Sequence, residues 1–382
     1  MTKQQFINEL TAALSQVDLQ TRDEIMADIN EHFTEGAAHG LSDEDICIKL
    51  GQPGQIAAQV LEEYSDAQNN THIFEDLKAF KAGKQHSSDA RRIRGGYDIN
   101  IDSYYDNINS IDIDLKISDI NIVTAPQGSQ VRLTMQGHSK YNTFTIDNKN
   151  GCLLIKEQQP MVRFEIFRFK TTLETTIYVP AGFIATNIDA YTGIGNIKLT
   201  GISCDAMKLK TSVGNIAVKD CTVDNGDIKS SAGNITISGG AMDRIDAKSS
   251  AGNVTLTGCA ADCVSAKSSA GNINFTANES ESLSLHSSAG TINVQVARLL
   301  GDTNLSSSAG SVRLEAREVG GNITAKSSCG SVKIYLPQDV NCRIITKKPS
   351  VGSVNNSLTG NPNSPYVLSA STSIGSVTLE AI

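Results

Sequence analysis

The sequence predicts a mainly β protein, a parallel β-solenoid preceded by a small all-α domain. In its second half, a run of small polar residues, then Gly, a polar residue and Ile or Val recurs ten times, with the glycines 19 residues apart at first and 20 to 23 apart later. A period this short indicates one supersecondary unit stacked on copies of itself. The repeated glycines are Gly195, Gly214, Gly233, Gly252, Gly271, Gly290, Gly310, Gly330, Gly352 and Gly375.

Each copy predicts a rung of two strands joined by a tight corner. The residues two and four after the glycine are apolar in almost every copy, and so are many of those seven and five before it, such as Met207 and Leu209. This alternation is typical of half-buried strands. Because the corner is too short for the two strands to pair with each other, each strand is expected to pair with its counterpart in the next rung, about 4.8 Å away.

The corner residues are predicted to be structural. Glycine suits a corner that needs a positive φ, and the amides that follow the first five glycines are expected to stack into a ladder. A row of ligand-binding amides is the alternative. No carboxylate recurs in the corners, as calcium would require, so neither a metal nor a cofactor is expected. The amides are Asn196, Asn215, Asn234, Asn253 and Asn272.

The chain shows none of the residue patterns that mark an enzyme. It lacks a phosphate-binding loop, a nucleophile elbow and a zinc-binding His-Glu-x-x-His motif, and few carboxylates accompany the surface lysines of the rungs. A non-enzymatic protein is therefore predicted. The lysines four positions before the glycines, Lys210, Lys229, Lys248, Lys267 and Lys326, are interpreted as a solvated ladder that hinders aggregation. A track for an anionic ligand is the alternative.

Residues 1–66 are predicted to form an acidic helical domain that binds a protein partner. They hold three basic and thirteen acidic residues, a balance of −10, and the remaining 30 basic and 28 acidic residues balance at +2. This acidity excludes nucleic acid and favours a partner with a basic or polar face. Thr2 and Thr21 are predicted helix caps. The recognition neighbourhood is predicted at Glu31, His32, Phe33, Gly51 and Pro53.

Two further segments are assigned by composition. Residues 67–94 are predicted to be a linker with a short amphipathic helix around 73–84, which either caps the solenoid or lies on a membrane surface. Residues 95–382 are assigned to the solenoid, with irregular strands over 95–187 and regular rungs over 188–382. The aromatic residues Phe164, Phe167 and Phe169 are predicted to cover the N-terminal end of the solenoid or to meet a partner or lipid.

The helical segment resembles a known signalling domain. Phe6 with Leu10, Asn30-Glu-His-Phe33, Gly40-Leu-Ser-Asp-Glu44 and Leu50-Gly-Gln-Pro53 are similar to the HAAS-type domain of Gram-positive bacteria. The resemblance implies a signalling role and a partner such as a PadR-like transcription regulator. Relatives commonly continue into membrane spans, whereas this sequence has no run of 18 apolar residues.

Residues 95–382 resemble the putative adhesin family of β-strand-repeat proteins. The similarity lies in Ile113–Ile122, in Ile177-Tyr-Val-Pro-Ala-Gly182 and in the Gly-Asn-Ile rungs. Some relatives belong to Lia-type regulons, so the resemblance implies a scaffold that links a helical signalling domain to a β-solenoid binding surface in envelope-stress signalling. A surface-associated, adhesin-like binding protein is the alternative.

A cytoplasmic location is expected, with peripheral contact to a membrane surface left open. The first ten residues lack the apolar core of a signal peptide, and the eight cysteines show no disulfide framework spacing. A homo-oligomer is a further expectation. Because Ile382 follows the last repeated glycine closely, the final strands are predicted to leave an open sheet edge.

Overall fold

The computed structural model describes residues 1–38, 40–58, 61, 91–94, 99–125, 128, 130–138, 143–158 and 172–382. The described residues divide into two compact units, a helical one mainly within residues 1–61 and a β one mainly within residues 91–382. The linker helix predicted around 73–84 and the residues Phe164, Phe167 and Phe169 lie outside the described part of the chain.

The helical unit contains α1 (Lys3–Ala13), α2 (Leu19–Ala38), α3 (Asp43–Leu50) and a further helical segment over 53–58. A reciprocal capping box between Thr2 and Gln5 begins α1, as predicted, and Ser42 with Asp45 forms the same motif at α3. The predicted cap at Thr21 is wrong, because α2 begins two residues earlier at Leu19 and Thr21 lies inside it.

The helices bury one apolar core. Phe6 and Phe33 meet edge to face with ring centroids 5.8 Å apart, which joins α1 to α2. The core consists of Phe6, Leu10, Leu14, Val17, Ile25, Ile29, Phe33, Ile46, Cys47, Leu50, Ile56 and Ala57.

The β unit is built from short strands in pairs. They are β1 (Arg91–Arg94), β2 (Ile99–Tyr105), β3 (Ser110–Ile117), β4 (Asp119–Thr124), β5 (Val131–His138), β6 (Thr143–Lys149), β7 (Cys152–Gln158), β8 (Thr172–Val179), β9 (Ile184–Ile194), β10 (Ile197–Thr200), β11 (Ser203–Val213), β12 (Ile216–Lys219), β13 (Thr222–Ala232), β14 (Ile235–Ser238), β15 (Ala241–Ala251), β16 (Val254–Thr257), β17 (Ala260–Ala270), β18 (Ile273–Ser280), β19 (Ser282–Ala289), β20 (Ile292–Leu299), β21 (Thr303–Ala309), β22 (Val312–Val319), β23 (Ile323–Cys329), β24 (Val332–Leu336), β25 (Asp339–Val340), β26 (Arg343–Lys347), β27 (Val354–Asn356), β28 (Thr359–Gly360), β29 (Val367–Ile374) and β30 (Val377–Ala381).

These strands confirm the predicted parallel β-solenoid. They form two long sheets, sheet A in the order β1-β6-β7-β3-β9-β11-β13-β15-β17-β19-β21-β23-β29-β26 and sheet B in the order β2-β5-β8-β4-β10-β12-β14-β16-β18-β20-β22-β24-β30-β27. The short strands β25 and β28 pair with each other in a separate two-stranded sheet. From β9 and β10 onwards each rung pairs in parallel with the next, so that Ile197 lies beside Ile216 and Ile216 beside Ile235. The alternate apolar residues of both sheets fill one continuous core.

At both ends of the solenoid the order of rungs in space differs from their order in the sequence. The rung of β3 and β4 lies between that of β7 and β8 and that of β9 and β10, in register with the regular rungs. Residues 110–124 are therefore a regular rung, although the sequence assigned 95–187 to irregular strands. The antiparallel pairs β2–β5 and β5–β8 extend sheet B beyond it.

The C-terminal end shows the same exchange and corrects the predicted open edge. The last strands, β29 and β30, are inserted between β23 and β24 on one side and β26 and β27 on the other. The outermost rung is thus the one before the last in sequence. Its strand β26 carries Arg343 and Lys347 and is followed by Lys348 and Pro349, residues that hinder pairing with another chain at a sheet edge.

Candidate functional site

A buried hydroxyl joins each rung to the corner of the preceding one. The Ser or Thr three positions before the glycine points inward, and its Oγ donates to the carbonyl oxygen of the neighbouring corner, as Ser249 does to Gly233 at 2.9 Å. The sequence pattern placed these residues in a polar corner run and missed their burial. The series comprises Thr192, Thr211, Ser230, Ser249, Ser268, Ser287, Ser307, Ser327 and Thr372.

The corner glycines are required by close backbone approach. A Cβ on any of the ten would lie well inside 3.0 Å of the carbonyl oxygen of the adjacent corner. Positive φ, the reason given from the sequence, applies to seven of them, because Gly271, Gly290 and Gly310 lie outside the left-handed region. The contact between successive corners is the cause that all ten share.

The asparagines that follow the first five glycines form a ladder of side chain to backbone hydrogen bonds along the corner. The Oδ1 of Asn196 accepts from the backbone N–H of Asn215 at 2.9 Å, and this contact repeats up to Thr291, whose N–H donates to Asn272. At the N-terminal end the ladder begins with a carboxylate, because Asn196 donates to Asp119 through its backbone N–H at 2.7 Å and its Nδ2 at 3.1 Å.

The lysine row on the outer face of sheet A is partly neutralised. Lys229 pairs with Asp227 at 2.7 Å and Lys248 with Asp246 at 2.5 Å. The interpretation from sequence, that few carboxylates accompany the lysines, is wrong at these two rungs because the aspartates lie two positions earlier on the same strand face. Exposed pairs of this kind are worth little in stability, and they leave less positive charge for an anionic ligand.

A groove borders the corner where the ladder meets the rung of β3 and β4. It has a volume of about 640 Å³ and brings together apolar side chains and oxygen-bearing side chains from six strands. We call it the corner groove and define it by Ile117, Asp119, Gln136, Glu174, Ile194 and Val213. Neither carboxylate was singled out in the sequence. Aligning residues 110–124 with the regular rungs would have identified Asp119, because it occupies the position that asparagine holds in the rungs that follow.

The predicted recognition residues of the helical unit are mostly buried. His32 is 0% and Phe33 2% exposed, and Pro53 is buried at the start of its helical segment. These side chains hold the helices together and cannot meet a partner unless the bundle opens. Gly51 is exposed and ends α3 with φ +88°. Glu31 lies within α2, and its side chain is outside the description.

The exposed surface of the helical unit offers a different neighbourhood on α3. Ile48 is 76% exposed, although Ile46, Cys47 and Leu50 of the same helix are buried. Glu44, one turn before Ile48, is also exposed. An exposed branched aliphatic side chain beside acidic residues is a feature that the sequence analysis did not identify.

All eight cysteines lie in the described part of the chain, and each is a free thiol. Burial raises the pKa of the Cys204 thiol to about 12, and burial also raises the pKa of Cys221, Cys259 and Cys342. These thiols are therefore protonated and unreactive at neutral pH. No helix in the described ranges is both long and apolar enough to span a bilayer.

Two stacked sheets with a hydrogen-bonded corner define a parallel β-solenoid of the repeat-protein class. The toastrack DUF4097 family model matches residues 108–298 and 241–379, and the chain belongs to this family. The HAAS family model matches residues 5–59, so the predicted recognition of both parts is confirmed. No curated protein matches the chain.

Several solved structures are similar to the β unit. A putative adhesin from Bacteroides fragilis is 16% identical, with 75% of this chain and 97% of that chain covered and a TM-score of 0.31. A putative adhesin from Parabacteroides distasonis is 14% identical, with 75% and 98% covered and a TM-score of 0.34. A putative lipid binding protein from the same species is 12% identical, with 76% and 100% covered and a TM-score of 0.26.

The union of a HAAS domain with a toastrack solenoid fits a non-enzymatic binding protein. The features described above are consistent with that class, because the repeated polar side chains of the rungs serve the contacts between rungs. Among the described residues, exposed surfaces that could serve binding include α3 in the helical unit and the outer faces and corner of the solenoid.

Proposed function

We propose that this chain is a signalling scaffold in which the acidic helical unit binds a regulator protein and the solenoid provides an extended binding surface. A PadR-like transcription regulator is the proposed partner, and envelope-stress signalling the proposed context. The observation that supports the proposal is the concentration of negative charge, −10 within residues 1–66 against +2 for the rest of the sequence. Such an imbalance steers a basic partner to one part of the molecule.

The face of α3 is the proposed contact. Ile48 supplies an apolar anchor, and the exposed carboxylates of Glu44 and Asp45 lie one turn before it on the same helix. Apolar anchors within a polar rim carry most of the binding energy in protein interfaces. Since the core of the unit is closed by Ile46 and Leu50 on the opposite side of α3, the contact needs no unfolding of the bundle.

The experiment measures binding of the full chain to a purified PadR-like regulator from the same organism by isothermal titration calorimetry. Ile48→Arg replaces the anchor with a repelling charge and is expected to weaken binding by about tenfold or more, as for a central interface residue. Leu19→Arg is the matched control, since Leu19 is 66% exposed on α2. Equal affinities for both variants and the parent chain would refute the contact, and no binding by the parent chain would refute the partner.

The alternative function is a surface or envelope-associated binding protein, and one surface favours it. On the outer face of β2, β5 and β8, the guanidinium of Arg132 lies over the rings of Tyr104 and Tyr178, at 5.7 and 5.5 Å. Tyr104 is 59% exposed, and exposed aromatic rings beside polar groups are common in binding sites. Protease treatment of intact cells with fractionation decides between the two functions: protection supports the scaffold, and cleavage from outside supports the envelope protein.

A further inference from the structure

The ladder of asparagine side chains ends at the corner groove, where carboxylates take the place of the amides. Along one row of sheet B, Gln136 lies beside Glu174, and Glu174 beside Asp119 in the parallel register of β8 and β4. Asn196 follows Asp119, and the amide ladder continues from there. Two carboxylates therefore occupy adjacent places where the later rungs carry amides. Like charges directly across two strands are destabilising, so this pair lowers the stability of the rung that contains it.

The two carboxylates keep oxygen atoms available for a ligand. Both hydrogen bonds from Asn196 reach Oδ1 of Asp119, and the one from Asn121 reaches Oε1 of Glu174 at 3.2 Å. The other oxygen of each carboxylate receives no hydrogen bond from the described residues. No Lys, Arg or His is among the described residues that line the groove. Within the described lining, the polar side of the groove thus carries two carboxylates and no basic side chain.

The opposite side of the groove is apolar. Ile194 is 53% and Val213 52% exposed, and Ile117 lies beside them in the neighbouring rung. In the rungs that follow, the same corner position is occupied by alanine, at Ala232, Ala251, Ala270 and Ala289. Larger side chains return at this position only at the other end of the described rungs, at Val351 and Ile374, so the rungs next to the groove differ from the middle ones. At about 640 Å³, the groove is of the size that binds small molecules.

We infer that the corner groove binds a small aliphatic ammonium compound. The ammonium group would lie between the carboxylates of Asp119 and Glu174, and its alkyl stem would cover Ile194 and Val213. An ammonium donates three hydrogen bonds to oxygen, and charge-assisted bonds to carboxylates are the strong ones. A bare metal ion fits less well, because the described residues contain no group of three or more His, Cys, Asp or Glu side chains that could hold one.

The experiment titrates the full chain with pentylammonium by isothermal titration calorimetry, with ammonium, pentanol and pentanoate as comparison probes. Pentylammonium is expected to bind more tightly than ammonium, which lacks the stem, and than pentanol, which lacks the charge. Pentanoate is expected not to bind. Added salt is expected to weaken the binding, because the site is open to solvent.

Two groups of variants test the two sides of the groove. Asp119→Asn with Glu174→Gln removes both charges and is expected to weaken binding about tenfold or more, as for the loss of hydrogen bonds to charged groups. Val213→Ala, which supplies the residue that the next rung carries, is expected to weaken pentylammonium but not ammonium. Asp243→Asn removes an exposed carboxylate elsewhere on the solenoid and is the charge control.

The thermal midpoint of each variant distinguishes a loss of binding from a loss of folding. The Asp119→Asn substitution extends the amide ladder of Asn196 by one rung, so a thermal midpoint at or above that of the parent chain is expected. Binding that is equal for the parent chain and the double variant, or equal for pentanoate and pentylammonium, would overturn the inference. Absence of pentylammonium binding to the parent chain would also overturn it.

Discussion

The hydroxyl of Ser249 donates to the carbonyl oxygen of Gly233 at 2.9 Å, from one rung of the solenoid to the corner of its neighbour. The same bond recurs at each rung from β9 to β23. Since the serine is 4% exposed, the bond satisfies two buried polar groups at once. It also fixes the spacing between successive corners, which brings the glycines into contact.

Ser249→Ala is expected to lower the free energy of unfolding by about 1 to 2 kcal/mol, because the carbonyl of Gly233 loses its donor in a buried site. Ser250→Ala is the matched control, as Ser250 is the next residue and is exposed, and a change within about 0.5 kcal/mol is expected there. Urea unfolding of both variants measures the difference. Equal changes would show that the buried bond contributes nothing.

The close approach of the corners predicts different outcomes for two glycines. Gly271→Ala is expected to cost about 3 kcal/mol or more, since its Cβ would collide with the carbonyl of Gly252. Gly258→Ala is expected to cost about 1 to 2 kcal/mol, because Gly258 has φ +65° and open space around it. Thermal and urea unfolding compare the two. A larger cost at Gly258 would make backbone conformation, and not contact, the main requirement.

The inserted C-terminal rung predicts an effect of truncation beyond the residues removed. A chain ending at Tyr366 lacks β29 and β30, the strands with which β26 and β27 pair. Fast amide hydrogen exchange is therefore expected across 343–356, measured by mass spectrometry. Removal of Ile382 alone is the control and is expected to leave that segment protected. Protection of 343–356 in the longer truncation would mean that the outer rung joins β23 and β24 directly.

Alkaline pH is expected to destabilise the chain through Cys204. Burial raises the pKa of this thiol from 9.0 to about 12 in the folded state, so the unfolded chain releases its proton first. The stability that this thiol contributes is fully present below pH 9 and is lost as the pH rises towards 12. Cys204→Val, which supplies the residue found beside it at Val223, is expected to fall less steeply in stability over this range.

Unfolding by urea at a series of pH values between 7 and 11 checks this expectation. At pH 7 the Cys204→Val variant is expected to differ from the parent chain by less than about 1.5 kcal/mol, as for a substitution that conserves volume. Cys329→Ala is the control, because Cys329 is exposed on the corner. Parallel pH profiles for all three chains would contradict the assignment to Cys204.

The regular rungs were predictable from sequence because their burial follows hydropathy. Met207 and Leu209 mark the strand before the corner, and Ile216 and Val218 mark the strand after it. Thr211 is the next inward-facing residue of the same strand but is polar. A pattern of apolar residues therefore stops at Leu209 and misses the burial of Thr211. What buries it is a bond to the carbonyl of Gly195, which belongs to a different rung. The sequence of a single rung therefore does not show that this hydrogen bond forms.

The burial of two of the predicted recognition residues, His32 and Phe33, was missed for a related reason. Ile25, Ile29 and Phe33 have the spacing of a buried helix face, and His32 occupies the intervening position on that face. Although it is polar, it is 0% exposed and is buried together with that face. Conversely, the apolar side chain of Ile48 on α3 is 76% exposed. The position of a residue around a short helix depends on its neighbours in space, which the sequence does not give.

The exchanged rungs at both ends decide where this molecule can gain length. An additional 19-residue unit placed next to β3 and β4, or next to β29 and β30, would separate strands that must meet out of sequence order. In the middle of the array, a duplicated unit would pair with a regular rung on each side. The adjoining segments 248–254 and 267–273 differ only at their last residue, Val254 against Ile273. We therefore expect a duplicated 19-residue unit to be tolerated in the middle of the array and not at its two ends.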